Sequence, residues 1–314
     1  MASLNSHAKD LSRFWKGKIL WDSPMSQFSS LKVGGPAEAI ISASNAEDLK
    51  GLLHWLKKND IGWWVIGRGS NILVPDKGLT GVIIVLEGEF RSIEKLKPAN
   101  HASGEEKIYI RTGGGCLLPK LVSYCTSESL SGLEFAIGIP GSIGGAIIMN
   151  AGAWGYEIGG LVESVSLMDI NGCIFAEQGE NLGFSYRKWA MPNNTVLLSA
   201  TFGLKPGSTD DIKAACRKYL ELRRKNQPTA EPSAGSFFKN PPHEAAGRLI
   251  EAAGLKGYAV GGAKISEKHA NFIVNTGDAS ATDIINLMQL VQQKVYKRFD
   301  IKLEPEVHIL GGEY

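Results

Sequence analysis

Small and polar residues come together in one segment that could carry chemistry, residues 234–241 (AGSFFKNP). Ser236, Lys239 and Asn240 follow a turn of small residues there. A serine hydroxyl in such a turn could donate a proton, contact a phosphate, or cap the turn through a backbone hydrogen bond. Taken alone, the segment favours the capping role, and the other two roles stay open.

A pair of carboxylates and an arginine are the other candidates for chemistry. Glu304 and Glu306 flank a proline, and alternate residues of a strand share a face, so one carboxylate could point inward with the other beside it. Most glutamates are nevertheless solvated surface residues. Arg187 follows Tyr186 in a polar segment, where its guanidinium could hold a carboxylate through two parallel hydrogen bonds. A lone arginine is more often a surface residue.

A first glycine-rich turn, residues 65–71 (VIGRGSN), follows a predicted strand. Gly67 and Gly69 let consecutive backbone N–H groups point into one concavity, and Ser70 and Asn71 add side-chain donors. Such an arrangement suits a diphosphate. The segment matches neither the glycine spacing of a dinucleotide-binding fingerprint nor a P-loop. A simple tight turn is the alternative.

A second glycine-rich segment, residues 138–155, is less ordinary. Its small and polar residues are Gly138, Gly141, Ser142, Gly144, Gly145, Asn150 and Gly152. The surrounding stretch, residues 135–156, has no charged side chain, but its glycines and its proline make it a poor helix former and a poor membrane span. We interpret it as a buried ligand loop. Two donor-rich loops favour a ligand with a diphosphate and a long flat ring, and a packing loop is the alternative.

The composition is that of an ordinary globular chain. Its 314 residues are enough for two domains, with 43% hydrophobic and 21% charged residues. The net charge of +2 predicts no strong attraction to nucleic acid. The four cysteines have no metal-ligand spacing and are predicted to be reduced thiols. We therefore expect a cytoplasmic protein with no signal peptide, no membrane association and no bound metal.

Hydrophobic periodicity predicts an α+β chain in two parts. Strands are expected over 36–42, 63–66, 83–86 and 303–310, and short strands alternate with glycine-rich turns from 107 to about 202. Helices are expected from Asn45 as an N-cap, near Pro119, from about 210, over 243–253 and over 282–299. Asn171 and Gly172 predict a hairpin turn. The composition changes near residue 207, which predicts an extension over 1–30, a first domain over 31–207 and a second domain over 208–314.

Eight segments in this order resemble the UDP-N-acetylenolpyruvoylglucosamine reductases, the MurB family. They are LKVGGPAE, VIGRGSNILV, GLEFAIGIPGSIGGAIIMNAGAWGYE, FSYR, PSAGSFFKNP, AGRLIEAAGLKG, KHANFIVN and LEPEVHILG, and they cover roughly residues 31–311. Each is weak alone, but their ordered combination is highly specific. The compact run over residues 186–236 resembles the type II branch of the family.

The resemblance implies an FAD-binding domain of the vanillyl-alcohol-oxidase type followed by an α+β substrate-binding domain. It implies a monomer that binds FAD non-covalently and uses NADPH to reduce the enolpyruvyl ether of UDP-N-acetylglucosamine enolpyruvate. The product would be UDP-N-acetylmuramate for peptidoglycan. The cofactor-binding residues that it implies are Gly67, Arg68, Gly69, Ser70 and Asn71 in the first loop, and Gly138, Gly141, Ser142, Gly144, Gly145, Asn150 and Gly152 in the second.

The resemblance also implies roles for the reactive side chains. Arg187 would meet the substrate carboxylate, where its fixed charge stabilises an enolate-like intermediate. Ser236 would give its hydroxyl proton to the carbanionic carbon. Glu306 would lie on the same side of the substrate, either protonated or sharing a proton with the substrate carboxylate, because two anions repel. The residues implied to contact the rest of the substrate are Tyr186, Lys239, Asn240 and His269.

One position departs from the family pattern. His308 stands where the family commonly has arginine, and a histidine there could make the charge of the nearby Glu306 depend on pH. Simple packing at the edge of the strand is slightly favoured over that role.

Two other functions stay open. One is a flavin enzyme of the same fold that oxidises an alcohol or a sugar, and the other is a UDP-sugar-binding protein that has lost catalysis. The joint presence of Ser236, Asn240 and Glu306 argues against the first, and that of Arg187 with Ser236 and Glu306 argues against the second.

Overall fold

The computed structural model describes residues 4–97 and 107–312. Its α-helices are α1 (Ala8–Phe14), α2 (Ala46–Lys58), α3 (Leu118–Ser127), α4 (Ile143–Ile148), α5 (Thr209–Asn226), α6 (Ala246–Ala252) and α7 (Ala281–Phe299). Its strands are β1 (Ile19–Pro24), β2 (Pro36–Ala43), β3 (Trp63–Ile66), β4 (Ile72–Leu73), β5 (Leu79–Leu86), β6 (Ile93–Lys95), β7 (Ile108–Gly113), β8 (Leu130–Ser131), β9 (Gly152–Ala153), β10 (Tyr156–Glu157), β11 (Val162–Asp169), β12 (Ile174–Gln178), β13 (Thr195–Pro206), β14 (Ala259–Val260), β15 (Ala263–Ile265), β16 (Ile273–Asn275) and β17 (His308–Ile309). The mixture confirms the predicted α+β class. Among the described residues, no helix is long and apolar enough to cross a membrane.

The chain forms two compact units. The first takes in the chain up to Ile19, Ile40–Gly67 and Val82–Leu222, and the second takes in Leu20–Ala39, Arg68–Gly81 and the chain from Arg223 onward. The division therefore differs from the predicted boundary at residue 207. Helix α5 belongs mostly to the first unit, because its buried residues Ile212 and Cys216 pack in that unit's core.

An antiparallel sheet forms the body of the first unit. Its strands are hydrogen-bonded in the order β12, β11, β13, β7 and β6, and β8 pairs with the end of β13. Most residues of the long strand β13 are buried, and helices α3, α4 and α5 supply apolar side chains to the same core. In a second sheet, β3 and β5 pair in parallel, with Trp63 opposite Val82.

Local signals in the first unit behave as predicted. Asn45 caps α2 by accepting a hydrogen bond from the backbone N–H of Asp48 at 2.9 Å. Gly172 takes the left-handed conformation, with φ of +75°, at the tight turn that joins the antiparallel pair β11 and β12. The sequence signals for both features lie within a few neighbouring residues, which explains why the sequence pattern was sufficient.

The second glycine-rich segment contains a helix that the sequence did not predict. Residues Ile143–Ile148 form α4, and the Ser142 side chain caps it by accepting from the N–H of Gly145 at 3.3 Å. The expectation of a loop throughout this segment was therefore wrong. Burial of Ile143 and Ile147 in the core of the first unit offsets the low helix propensity of the two glycines.

The second unit is built on α7. A capping box of Ser280 and Asp283 starts this helix, and its buried face packs on the antiparallel sheet β14, β15, β16 and on α6. The helix predicted over 282–299 is confirmed, and its residues Ile284, Met288 and Val291 are buried.

Two predicted elements of the second unit are shorter than expected. Helix α6 begins at Ala246 and not at residue 243, because Asn240 accepts a hydrogen bond from the Ala246 N–H at the start of the helix. The strand predicted over 303–310 is reduced to β17, since Pro305 has no N–H to donate to a ladder. Strand β17 pairs in parallel with β4.

Candidate functional site

The first glycine-rich turn is closely packed at both of its glycines. A side chain at Gly67 would overlap the Ser142 hydroxyl, and one at Gly69 would overlap the backbone carbonyl of Phe28. Gly69 also has a φ of +65°, a conformation that favours glycine. Gly67 and Arg68 are exposed, so an anion could approach the backbone of this turn and the Arg68 side chain.

Asn71, at the end of this turn, is bound to the segment that carries Glu306. Its side-chain amide donates to the Glu306 carbonyl at 3.0 Å, and its own carbonyl accepts from the His308 N–H at 3.1 Å. Strands β4 and β17 then continue the pairing. Asn71 therefore fixes the backbone around Glu306, and a direct contact of this side chain with the cofactor stays a prediction.

Several amides of the second glycine-rich segment are used inside the protein. The Gly144 N–H donates to the Gly114 carbonyl at 2.8 Å, and the Gly145 N–H donates to the Ser142 hydroxyl. Gly138 and Gly141 have positive φ values of 75° and 151°, so the glycine type is required for the turn itself. Any contact of Gly144 or Gly145 with a cofactor would thus depend on close backbone approach and not on these two donors.

Asn150 is a buried junction of the first unit. Its side chain is 1% exposed and makes three hydrogen bonds: it donates to the Glu157 carboxylate at 2.7 Å and to the Ser185 carbonyl at 2.9 Å, and it accepts from the Gly159 N–H at 2.9 Å. The predicted cofactor contact of Asn150 would have to come from its backbone, because this side chain joins three loops of the unit.

Arg187 is held by the same group of loops. Its guanidinium donates to the Gly152 carbonyl at 3.1 Å, lies 3.9 Å from the Glu157 carboxylate and lies 5.0 Å from the centre of the Tyr186 ring. Only 18% of the side chain is exposed, and the backbone φ is +54°. A cation in this setting is preorganised in position, which is what recognition of a carboxylate needs. Gly152 thus supports Arg187, and its predicted contact with the cofactor stays a prediction.

The segment of Ser236 and the segment of Glu306 are neighbours in the second unit. The Glu306 N–H donates to the Phe237 carbonyl at 2.8 Å, and the Lys239 N–H donates to the Glu304 carbonyl at 2.9 Å. Phe238 forms an antiparallel bridge with Pro305 between these two bonds. The structure therefore brings the predicted proton donor and the predicted carboxylate onto adjacent stretches of backbone.

The charged side chains of these two segments differ in exposure. Lys239 forms an ion pair with Glu304 at 3.3 Å, and the Glu304 side chain is 75% exposed, whereas Glu306 is half-buried. Burial, together with the nearby Lys239 charge, lowers the pKa of His308. Glu306 is thus the more enclosed of the two predicted carboxylates.

Asn271 is a functional candidate that the sequence analysis missed. It is 4% exposed, and its side chain bonds both backbone groups of Phe238, at 3.0 Å to the N–H and 2.8 Å to the carbonyl. Its carbonyl also accepts from the Phe237 N–H at 2.8 Å. The motif KHANFIVN contained this residue, but no local pattern indicates a partner 33 positions away.

The His269 ring contacts other residues of the protein, Asn271 and Phe272. Its Nδ1 atom accepts a hydrogen bond from the Asn271 N–H at 3.2 Å, and its ring packs against Phe272 with 4.8 Å between centroids. Burial lowers the pKa of His269, with a smaller lowering from Lys256. The ring therefore favours its neutral form with the proton on Nε2, and its predicted substrate contact stays a prediction.

The donor set of the first turn fits an anionic cofactor. Exposed Gly67 and Arg68 lie next to Gly69, whose tight packing fixes the turn. Backbone N–H groups and a guanidinium together suit the diphosphate of a dinucleotide.

Comparisons with known proteins define the class. Residues 37–175 match the family model described as an FAD binding domain, and residues 227–310 match the C-terminal domain of UDP-N-acetylenolpyruvoylglucosamine reductase. A VAO-type flavoprotein from Myceliophthora thermophila shares the fold with a TM-score of 0.52 at 11% identity. The chain is therefore a flavoprotein with the VAO-type FAD-binding fold.

Full-length relatives define the family. The UDP-N-acetylenolpyruvoylglucosamine reductases of Bacillus licheniformis and Bacillus subtilis are each 39% identical to it, over 96% and 94% of this chain and 97% and 95% of theirs. A crystal structure of the reductase from Thermus caldophilus superposes with a TM-score of 0.78 at 35% identity, covering 93% of this chain and 98% of that one. The chain belongs to the UDP-N-acetylenolpyruvoylglucosamine reductase family, and it is an FAD-dependent oxidoreductase.

Proposed function

We propose that this protein uses NADPH to reduce the enolpyruvyl ether of UDP-N-acetylglucosamine enolpyruvate, giving UDP-N-acetylmuramate for peptidoglycan synthesis. The bound FAD would supply two-electron chemistry, taking a hydride from the nicotinamide and passing one to the substrate. Addition of that hydride to the terminal carbon and of one proton to the adjacent carbon saturates the double bond and balances the reaction.

Three side chains would act on the reacting group. Arg187 would bind the substrate carboxylate and stabilise the charge that develops next to it. Ser236 would donate its hydroxyl proton to the adjacent carbon. Glu306 would face the substrate in its protonated form, because repulsion between two anions disfavours the charged one.

The remaining predicted contacts would orient the substrate. Tyr186 stacks beside Arg187, while Lys239, Asn240 and His269 belong to the second unit with Ser236. Lys239 would contribute a positive charge that Glu304 only partly offsets, because that carboxylate is mostly exposed.

The observation that carries this proposal is the adjacency of the Ser236 and Glu306 segments. A hydroxyl donor and a half-buried carboxylate on two hydrogen-bonded stretches suit protonation of a carbon next to an anionic group. An enzyme that oxidises an alcohol would need a base beside the cofactor and gives no reason for this pairing.

Half-reactions of the flavin test the proposal. The purified protein is reduced anaerobically with NADPH, and UDP-N-acetylglucosamine enolpyruvate is then added while the flavin absorbance is followed. We expect rapid reoxidation with formation of UDP-N-acetylmuramate. A flavin that NADPH reduces but the enolpyruvyl sugar cannot reoxidise would contradict the proposal and favour the oxidase alternative.

Ser236→Ala should separate the two half-reactions. Reoxidation should slow by about 100- to 10,000-fold, the usual contribution of a positioned proton donor, with reduction by NADPH nearly unchanged. Ser233→Ala is the matched control, since Ser233 is a half-buried serine three residues before Ser236. Equal losses in both half-reactions of Ser236→Ala would remove Ser236 as the donor.

A further inference from the structure

The backbone that follows Ser236 is held from both sides. On one side, the Phe237 carbonyl and the Lys239 N–H bond the segment of Glu304 and Glu306. On the other side, the Phe237 N–H bonds the Asn271 carbonyl, and both backbone groups of Phe238 bond the Asn271 side chain. The three peptide planes between residues 236 and 239 therefore each have a hydrogen-bonded partner.

The Asn271 side chain makes the hydrogen bonds to Phe238 that the backbone of a neighbouring strand would make in a sheet. In an extended segment, successive residues direct their backbone groups to opposite sides, so Phe238 faces away from the Glu306 segment. Phe238 is 1% exposed, and water cannot readily satisfy its N–H and carbonyl. A carboxamide, with one donor edge and one acceptor edge, matches the two groups of a single residue.

We propose that Asn271 is a positioning residue for Ser236, fixing the peptide planes that set where the serine hydroxyl points. Asn271 is only 4% exposed and both edges of its side chain are bonded to Phe238, so we place its action through the backbone of residues 236–239. This inference rests on the proposed role of Ser236 as proton donor. It assigns Asn271 a function because a hydroxyl that must reach one carbon tolerates little displacement.

The central test compares Asn271→Asp with Asn275→Asp. The aspartate keeps the shape and an acceptor for the Phe238 N–H, but it puts an oxygen against the Phe238 carbonyl in place of the donor. Asn275 is the matched control, because it is also 4% exposed and, within the described part of the chain, its side chain bonds the backbone of Leu31, Gly277 and Ala279.

Two measurements are made on each variant. Stopped-flow absorbance gives the rate of flavin reduction by NADPH and the rate of reoxidation by the enolpyruvyl sugar, in H₂O and in D₂O. Amide hydrogen exchange, followed by mass spectrometry on peptides that cover residues 234–241, reports the order of the backbone independently of activity.

For Asn271→Asp we expect reoxidation to slow by about 10- to 100-fold, with reduction by NADPH within about twofold of wild type. The deuterium solvent isotope effect on reoxidation should rise, because proton delivery becomes slower, and exchange over residues 234–241 should accelerate. Asn275→Asp should leave the ratio of the two rates and the isotope effect unchanged.

Other outcomes would overturn the inference. If Asn271→Asp and Asn275→Asp slow both half-reactions by the same factor, Asn271 is merely structural. If exchange accelerates in Asn271→Asp but reoxidation stays at the wild-type rate, the function of Ser236 does not depend on the hydrogen bonds of Asn271. Should Asn271→Asp fail to fold, the smaller polar variant Asn271→Ser is judged by the same criteria. Wild-type protein that is not reoxidised at all would instead refute the proposed function.

Discussion

Two buried asparagines organise the two units of this protein in different ways. Asn150 joins three separate loops of the first unit, and one of its partners is the Glu157 carboxylate. Asn271, in the second unit, gives both edges of its side chain to the backbone of Phe238. One junction therefore includes a charge, while the other consists of backbone groups.

The difference corresponds to what each unit has to position. Glu157 lies 3.9 Å from the Arg187 guanidinium, so the Asn150 junction fixes the place of a charge. The Asn271 junction fixes the direction of an uncharged hydroxyl. A displaced charge still acts over several ångströms, whereas a displaced proton donor does not. We therefore expect damage near Asn150 to appear mainly in stability, and damage near Asn271 mainly in the rate of one half-reaction.

Among the changes that test this comparison between the two units, removal of the Arg187 charge should have the largest effect. Arg187→Ala should slow reoxidation by the enolpyruvyl sugar by about 100- to 1,000-fold, the usual cost of losing one electrostatic contact to a developing anion. Reduction by NADPH should be nearly unaffected. Stopped-flow absorbance measures both rates. Arg187→Lys keeps the charge but not the planar guanidinium, so its rate of reoxidation should lie between those of wild type and Arg187→Ala. Loss of bound FAD from Arg187→Ala would show that this residue serves the cofactor.

Removing the junction in the first unit should reduce stability. Asn150→Ala removes the partner of the Gly159 N–H and of the Ser185 carbonyl, which lie in a part-buried site, and it places alanine at a φ of +41°. The free energy of unfolding should fall by about 3 kcal/mol. Urea denaturation followed by flavin fluorescence measures the change.

A second substitution separates the two causes. Asn150→Gly loses the same hydrogen bonds but tolerates the positive φ, so it should be about 1 kcal/mol more stable than Asn150→Ala. If both variants unfold like wild type, the junction does not hold the loops together, and the contrast with Asn271 fails.

A capping contact in the second unit should give a smaller effect. Asp76 accepts hydrogen bonds from the Ala281 and Thr282 N–H groups, at 2.8 and 2.9 Å, at the start of α7. Asp76→Ala should lower the free energy of unfolding by about 1 kcal/mol. The cap is exposed, so added salt should reduce this difference.

The same residue predicts a dependence on acid. Burial alone would raise the pKa of Asp76, but the hydrogen bonds from Thr282 and Ala281 outweigh it and lower the pKa. Because the pKa of Asp76 is lower in the folded protein, its contribution to the free energy of unfolding is fully present above the ordinary pKa of 3.8. That contribution is lost as the pH falls through the pKa of the folded protein. Asp76→Ala should lose this part of the acid sensitivity, and an unchanged pH profile would show that the cap contributes little.

Sequence patterns predicted the features that depend on neighbours. The Asn45 cap, the hairpin at Gly172 and the buried face of α7 each follow from residues within a turn or two of one another. Helix α4 was missed because its stability comes from burial of Ile143 and Ile147 in a core formed by distant segments. Propensity is a weak guide wherever tertiary packing decides.

The candidate site was predictable in its residue types but not in its supports. Family-like motifs indicated Ser236, Arg187 and Glu306. The contacts of Asn71 with the Glu306 segment and of Asn271 with Phe238 span 235 and 33 positions, and no periodicity encodes such pairs. The inclusion of residues 68–81 in the second unit also depends on contacts between distant segments, which a change of composition along the chain does not reveal.

The smallest expected effect concerns His269, whose ring accepts a hydrogen bond from the Asn271 N–H. Burial lowers the pKa of His269 in the folded protein. At a pH between this lowered pKa and the ordinary value of 6.5, the imidazole binds a proton in the unfolded chain but not in the folded protein. Stability from this group is therefore present above about pH 6.5 and decreases as the pH falls. Partial exposure keeps the total below about 1 kcal/mol. Urea denaturation between pH 7.5 and 5.5 should show this slope in wild type and a shallower one in His269→Gln.

Reoxidation should follow the same titration. Protonation of Nδ1 removes the acceptor of the Asn271 N–H. The hydrogen bonds of Asn271 to the backbone of residues 236–239 should therefore weaken as the pH falls. Reoxidation of wild type should therefore slow more at low pH than that of His269→Gln, with reduction by NADPH as the internal control. Identical pH profiles in the two proteins would mean that the Asn271 side chain holds the Ser236 segment without help from His269, which would make the junction of the second unit independent of charge altogether.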